Sequence, residues 1–219
     1  MKWILIVMGF IFIGCASRPN ERRLSDFKNN EGRIQRSFYK KVNDTLEFRR
    51  FIVNGEVATV QFGQIFQGPY GLNEQKIKHS IQLTKSTVAL DSLSRLFQAS
   101  GYQSKFLDDK EELIVQIVPD STMVHWEQLG FTRLKQQTEE QIDARLKKLH
   151  QGEWFASDSP SMLFYVKDWE TAIPVVVEVL KEEKLIDHIL MARRIKTTPG
   201  EWHYEVIYPL EYEGVFNNM

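Results

Sequence analysis

The fold of this chain is most legible in SMLFYVKDWETAIPVVVEVLKEEKLIDHILMARRIKTTPGEWHYEVIYPL, residues 161–210. Residues 162–167 are a short run of β formers bounded by a charged stretch, which predicts a strand. A helix is expected from Thr171 as its cap, which would put Pro174 at the third helical position, where no intrahelical donor is lost. Val175, Val176 and Val177 are strong β formers and oppose that helix. Residues 188–196 and 201–208 then flank the turn sequence TTPG and predict a hairpin. The order is strand, helix, strand, strand.

Residues 79–118 repeat that order. A strand at 79–84 leads into a helix capped by Ser86 or Thr87, with Ala89, Leu90, Leu93, Leu96 and Phe97 on one face. Gly101 fits the residue just past the helix end, placing Tyr102 against Phe97. Two strands, 103–107 and 112–118, are expected around the polar turn DDKEE. Between the two units, residues 138–152 predict a helix. Thr138 and Gln141 form a capping box, Ile142, Leu146 and Leu149 a narrow apolar stripe, and Gly152 the end. Upstream, residues 46–65 form two β-rich runs about Asn54-Gly55, the strongest short hairpin signal, and GPYG at 68–71 ends the pattern. The expected class is α+β. An N-terminal β-hairpin precedes two βαββ units of ferredoxin-like character, with an antiparallel sheet and helices on one face. The expected division is a first unit at 41–136 and a second at 137–219, in one sheet or in two subdomains.

The N-terminus, MKWILIVMGFIFIGCASRPNERR, is of another kind. Residues 3–13 are uniformly apolar after the single positive charge of Lys2. As a helix they would reach only about 16 Å, half of a hydrocarbon core of about 30 Å, so they fit the apolar core of a secretory signal. The sequence Phe12-Ile13-Gly14-Cys15 resembles the lipobox of bacterial lipoproteins, although Phe12 stands where leucine is usual. The resemblance implies removal of residues 1–14, lipidation of Cys15 and attachment to a membrane. Ala16, rather than aspartate, after the cysteine implies the outer membrane, facing the periplasm, in a Gram-negative organism. Residues 15–40 read as a lipid-anchored polar tether, with six basic against three acidic side chains over 16–36.

Cys15 is the only cysteine of 219 residues, so no disulfide is available and stability must come from an ordinary core. With 28 basic and 29 acidic side chains, the chain has no field to attract nucleic acid. Histidines 79, 125, 150, 188 and 203 lack metal-binding spacing, and no nucleophile elbow, phosphate loop or dinucleotide motif occurs. No catalytic residue, metal, cofactor or small-molecule ligand is therefore expected. Asp108, Asp109, Glu111 and Glu112 read as solvated turn carboxylates. Trp126, Trp154, Trp169 and Trp202 read as core-edge residues or interface anchors. His188, Arg193, Arg194 and His203 are the candidates for contact with an anionic group or partner, on the assumption that they converge on the last hairpin.

These observations lead to a membrane-anchored, non-catalytic envelope lipoprotein with a protein-binding or scaffolding role. An immunity or inhibitor lipoprotein against a toxin or hydrolase is the alternative. An envelope hydrolase without a familiar motif is a third.

Overall fold

The computed structural model describes residues 33–54, 57–68, 73–84, 87–107, 110–118, 128–158 and 160–217. The signal segment, Cys15 and most of the expected tether lie outside the described residues. In chain order the elements are β1 (Arg33–Val42), β2 (Thr45–Asn54), β3 (Val57–Gln67), β4 (Asn73–Thr84), α1 (Thr87–Ala99), β5 (Glu111–Ile117), α2 (Gln128–Lys148), β6 (Gly152–Asp158), β7 (Ser161–Val166), α3 (Trp169–Glu182), a 3-10 turn (Ile186–His188), β8 (Ile189–Thr198), β9 (Glu201–Tyr208) and β10 (Gly214–Phe216). They form a mixed α/β protein, mostly strand, with two antiparallel five-stranded sheets.

The first sheet is the meander β1-β2-β3-β4, with the short β10 paired to Asn73, Glu74 and Gln75 at the outer edge of β4. Asn54 pairs with Val57, so the expected hairpin forms with Asn54 in the ladder, and residues 55 and 56 lie outside the described residues. Strand β1 occupies chain assigned above to the tether. Its consecutive Phe38 and Tyr39 point to opposite faces of the sheet, and both are buried, at 2% and 0% exposure. Arg36, Lys40 and Lys41 around them hide this pattern in the sequence.

Helix α1 covers one face of this sheet. Phe97 packs against Phe38, Phe51, Phe62 and Tyr102 with ring centroids 5.3–6.3 Å apart. The helix ends as expected. Gly101 adopts φ +84°, Tyr102 N–H donates to Phe97 O at 3.0 Å, and Gly101 N–H donates to Gln98 O at 2.9 Å. Leu96, placed by spacing on the buried face, is instead 57% exposed.

The second sheet runs β6-β7-β5-β8-β9. Here the expected units need correction. Residues 103–107 form no strand beyond a single bridge from Gln103 to Tyr39, and β4 and β5 belong to different sheets. The first βαββ unit therefore does not form, and the division at 136/137 does not follow the sheets. Helix α2 begins ten residues before Thr138. Thr138 lies inside it and donates through Oγ1 to Leu134 O at 2.8 Å, while Gln141 reaches Glu183. A Ser/Thr hydroxyl serves a mid-helix carbonyl as readily as a cap, so the capping-box pattern misplaced the start. Gly152 opens β6 rather than ending the helix, and a Cβ there would lie 2.4 Å from Tyr165 O. In α3 the cap is Asp168, whose Oδ1 accepts from Thr171 N at 2.7 Å. Pro174 thus falls sixth in the helix and forgoes one backbone bond, offset by the burial of Trp169, Ala172, Val176, Val179 and Leu180.

One large core joins the two sheets with α2 and α3, and smaller clusters gather about Phe97 and about Tyr204 and Phe216. Tyr39, Leu46, Phe48, Ile52 and Ile65 of the first sheet cluster with Leu113, Val115, Met162, Phe164 and Met191 of the second, and with Ile142 and Leu146 of α2 and Val176 and Val179 of α3. At Gly63 a Cβ would lie 2.3 Å from the Phe48 ring and 2.7 Å from Lys76 O. Gly63→Ala is expected to destabilise the fold by about 1–3 kcal/mol through overpacking, measured as a lower urea midpoint with an unchanged m-value.

Candidate functional site

The polar groups drawn together most tightly lie between the two sheets. Antiparallel pairing sets Arg193 of β8 opposite Glu205 of β9. From the first sheet, Tyr39 donates its hydroxyl proton to Glu205 Oε2 at 2.6 Å and accepts from Arg193 Nη1 at 3.4 Å. Arg50 Nε stands 3.6 Å from Glu205 Oε1, and its Nη1 donates to Val206 O at 3.0 Å. Gln75 clamps the backbone of the same residue, donating to Val206 O at 3.1 Å and accepting from Val206 N at 2.7 Å. Tyr39, Arg50 and Glu205 are 0% exposed and Arg193 is 1% exposed. The two guanidinium groups lie over aromatic rings, Arg50 over Phe48 at 5.0 Å and Arg193 over Trp169 at 4.9 Å.

The electrostatics follow from burial. Desolvation, with the Glu205 carboxylate adjacent, pushes the Tyr39 phenol well above its ordinary value, so it remains a donor. Desolvation also draws the Arg50 guanidinium down, opposed by Glu205. The carboxylate thus meets a phenol and one guanidinium directly and Arg193 through the Tyr39 hydroxyl, and the arrangement can pin two sheets together.

Of the four candidate contact residues, this interface takes two. Arg193 belongs to the network, and His203 is buried on the same side of the sheet at 1% exposure with neither ring nitrogen hydrogen-bonded. Burial, helped by Lys41 and opposed by Glu201, lowers its pKa. Beside it Lys41 Nζ meets Glu201 Oε2 at 2.5 Å, and this contact with Thr198 brings the Glu201 carboxyl down to about 2. Arg194 points the other way. It pairs with Glu112 at 2.5 Å, which also accepts from Lys196 at 2.7 Å. His188 ends the 3-10 turn, five strand residues or roughly 16 Å from Arg193. The four therefore do not converge, because successive strand residues face opposite sides.

Of the turn carboxylates, Asp108 and Asp109 lie outside the described residues, and the other two depart from expectation. Glu111 and Glu112 are buried in β5, at 7% and 2% exposure, rather than solvated. Glu111 accepts from Trp169 N at 2.7 Å and from Lys105 at 2.6 Å. It borders a cleft lined by Lys105, Lys110, Trp169, Arg194 and Lys196, with about 20 Å³ of space, enough for about one water. A broader, open cleft of about 660 Å³ adjoins it, lined by Lys110, Lys147, His150, Lys167, Glu111 and Glu153. Trp169 is nearly buried, whereas Trp154 and Trp202 are 44% and 41% exposed; Trp126 lies outside the described residues. Lys135 donates to Ser157 Oγ, a contact between α2 and β6 that the sequence did not announce. Among the described residues no group of three or more His, Cys, Asp or Glu side chains is arranged to hold a metal ion.

No protein-family model matches the chain, and neither a curated protein nor a solved structure does.

Two outcomes are expected of this interface. Glu205→Ala strands two buried guanidinium groups and should cost about 3–5 kcal/mol, with Arg50→Met in the same background restoring part of it, both read from urea unfolding. For His203 the folded pKa lies below the unfolded value of about 6.5, so the unfolded chain binds more protons between the two. Stability is then lost as pH falls through that window. His203→Gln should flatten the slope of unfolding free energy between about pH 6.5 and the lowered folded pKa.

Proposed function

We propose that this protein is a membrane-anchored, non-catalytic envelope lipoprotein whose folded part binds another envelope protein. The observation that carries it is Cys15, the sole cysteine, placed directly after an eleven-residue apolar run and Gly14. Acyl chains on that cysteine would hold the protein to a membrane, since each buried methylene adds about 0.8 kcal/mol and two or three chains anchor stably. Residues 16–32 separate Cys15 from β1, and a chain of that length spans at most about 60 Å. In a Gram-negative organism Ala16 directs the anchored protein to the outer membrane, facing the periplasm.

The second sheet with α2 and α3 is, in this proposal, a ferredoxin-like βαββαβ unit running from β5 to β8, with both helices on one face and β9 added outside. The strand order β6-β7-β5-β8, with α2 joining β5 to β6 and α3 joining β7 to β8, supports it. Among the described residues no helix is long and apolar enough to cross a membrane.

The test is the mass of the N-terminal peptide recovered from the membrane fraction. A diacyl- or triacylglyceryl-modified Cys15, with Cys15→Ala released or left unprocessed, is the expected result. An intact Met1 or an unmodified Cys15 would overturn the anchor. Turnover of an envelope substrate by the purified protein, abolished by substitution of one cleft residue, would contradict the non-catalytic assignment.

A further inference from the structure

Strand β4 is twelve residues long, but β10 pairs only with Asn73, Glu74 and Gln75 along its outer edge. Among the described residues, no strand pairs with that edge from Lys76 to Thr84. Residues 78–82 are exposed without a break, so both faces of the strand meet solvent, and Ile81 is 48% exposed. An open row of backbone donors and acceptors is a template for another extended segment. Strand β10 already adds to this edge in antiparallel register.

The charge along the edge is one-sided. From Gln75 to Thr84 the strand carries Lys76, Lys78 and His79 and no carboxylate, and neighbouring β3 carries no charged residue. Nearby carboxylates include Glu74, which pairs with Val215, Glu213, which precedes β10 and stands next in register opposite Lys76, and Glu47, which accepts from Tyr102 at 2.7 Å and Gln64 at 3.2 Å and feels Lys78. Lys78 and His79 lie farther along the edge, beyond β10. A second copy of the chain docked edge to edge would set these basic groups against their own kind. A strand with acidic side chains would neutralise them.

We propose that the β4 edge from Lys76 to Thr84 docks an extended, acidic segment of a partner protein, which pairs with β4 beside β10. Acidic side chains would lie near Lys76 and Lys78, and an apolar one against Ile81. The proposal rests on the assignment of the protein as a partner-binding lipoprotein.

The experiment follows amide hydrogen exchange of residues 76–84 in the full, membrane-extracted protein. The probes are an eight-residue peptide alternating valine and glutamate and its valine–lysine counterpart, each at millimolar concentration. The glutamate peptide should slow exchange across 76–84 by tenfold or more and the lysine peptide should not. The double variant Lys76→Glu, Lys78→Glu should invert that preference. Slowing by neither peptide, or by both equally, overturns the proposal and leaves the lysines as guards against edge pairing. Slowing that rises with protein concentration without peptide assigns the edge to a second copy and overturns it too. Slowing by the glutamate peptide confined to another surface removes this edge while partner binding itself stands.

Discussion

The carboxylate of Glu205 is the constraint on which the rest of the molecule depends. It is fully buried, and a lone carboxylate in that position would cost several kcal/mol in lost hydration. The cost is offset only where Tyr39 of β1, Arg50 of β2 and Arg193 of β8 meet at the same point. Those residues come from three strands in two sheets, so the pairing fixes how one sheet lies on the other. Sliding either strand by one residue would carry its polar group to the opposite face and leave the carboxylate unmatched. Gln75 reinforces the same register by treating the Val206 backbone as a neighbouring strand would.

The chain path makes the two sheets interdependent. After four strands of the first sheet it builds the whole of the second, then returns through β10 to pair with β4. The helices α2 and α3 share an apolar cluster with residues of both sheets. Buried ionic groups confer little net stability compared with apolar replacements. Stability here comes mainly from the apolar cluster, while the Glu205 network selects one arrangement of it.

What the sequence revealed was local. The Gly101 helix end and the hairpin between β8 and β9 each rest on a few adjacent residues with particular dihedral needs, and each formed; the hairpin between β2 and β3 formed as well, with Asn54 paired in the ladder. Strand β1 was hidden because Phe38 and Tyr39 are buried on opposite faces amid basic residues, which erases a period of two. In β5, Glu111 and Glu112 read as turn residues because, Lys105 apart, the partners named for them, Trp169, Arg194 and Lys196, lie more than fifty residues away. The same limit applies to the candidate site. Arg193 and His203 were chosen by residue type, but adjacency in sequence joined Arg193 to Arg194, which faces the other side. No spacing pattern links Glu205 to Tyr39 or Arg50.

Native-state hydrogen exchange tests most directly whether this network makes the two sheets one cooperative unit. The measurement compares opening free energies of the slowest amides in β2 and β3 with those in β5 and β8 as denaturant is raised. Convergence on a single global value is the result expected of sheets locked through Glu205. Two separate values, with one sheet exchanging while the other stays protected, would contradict it and make the sheets independent domains.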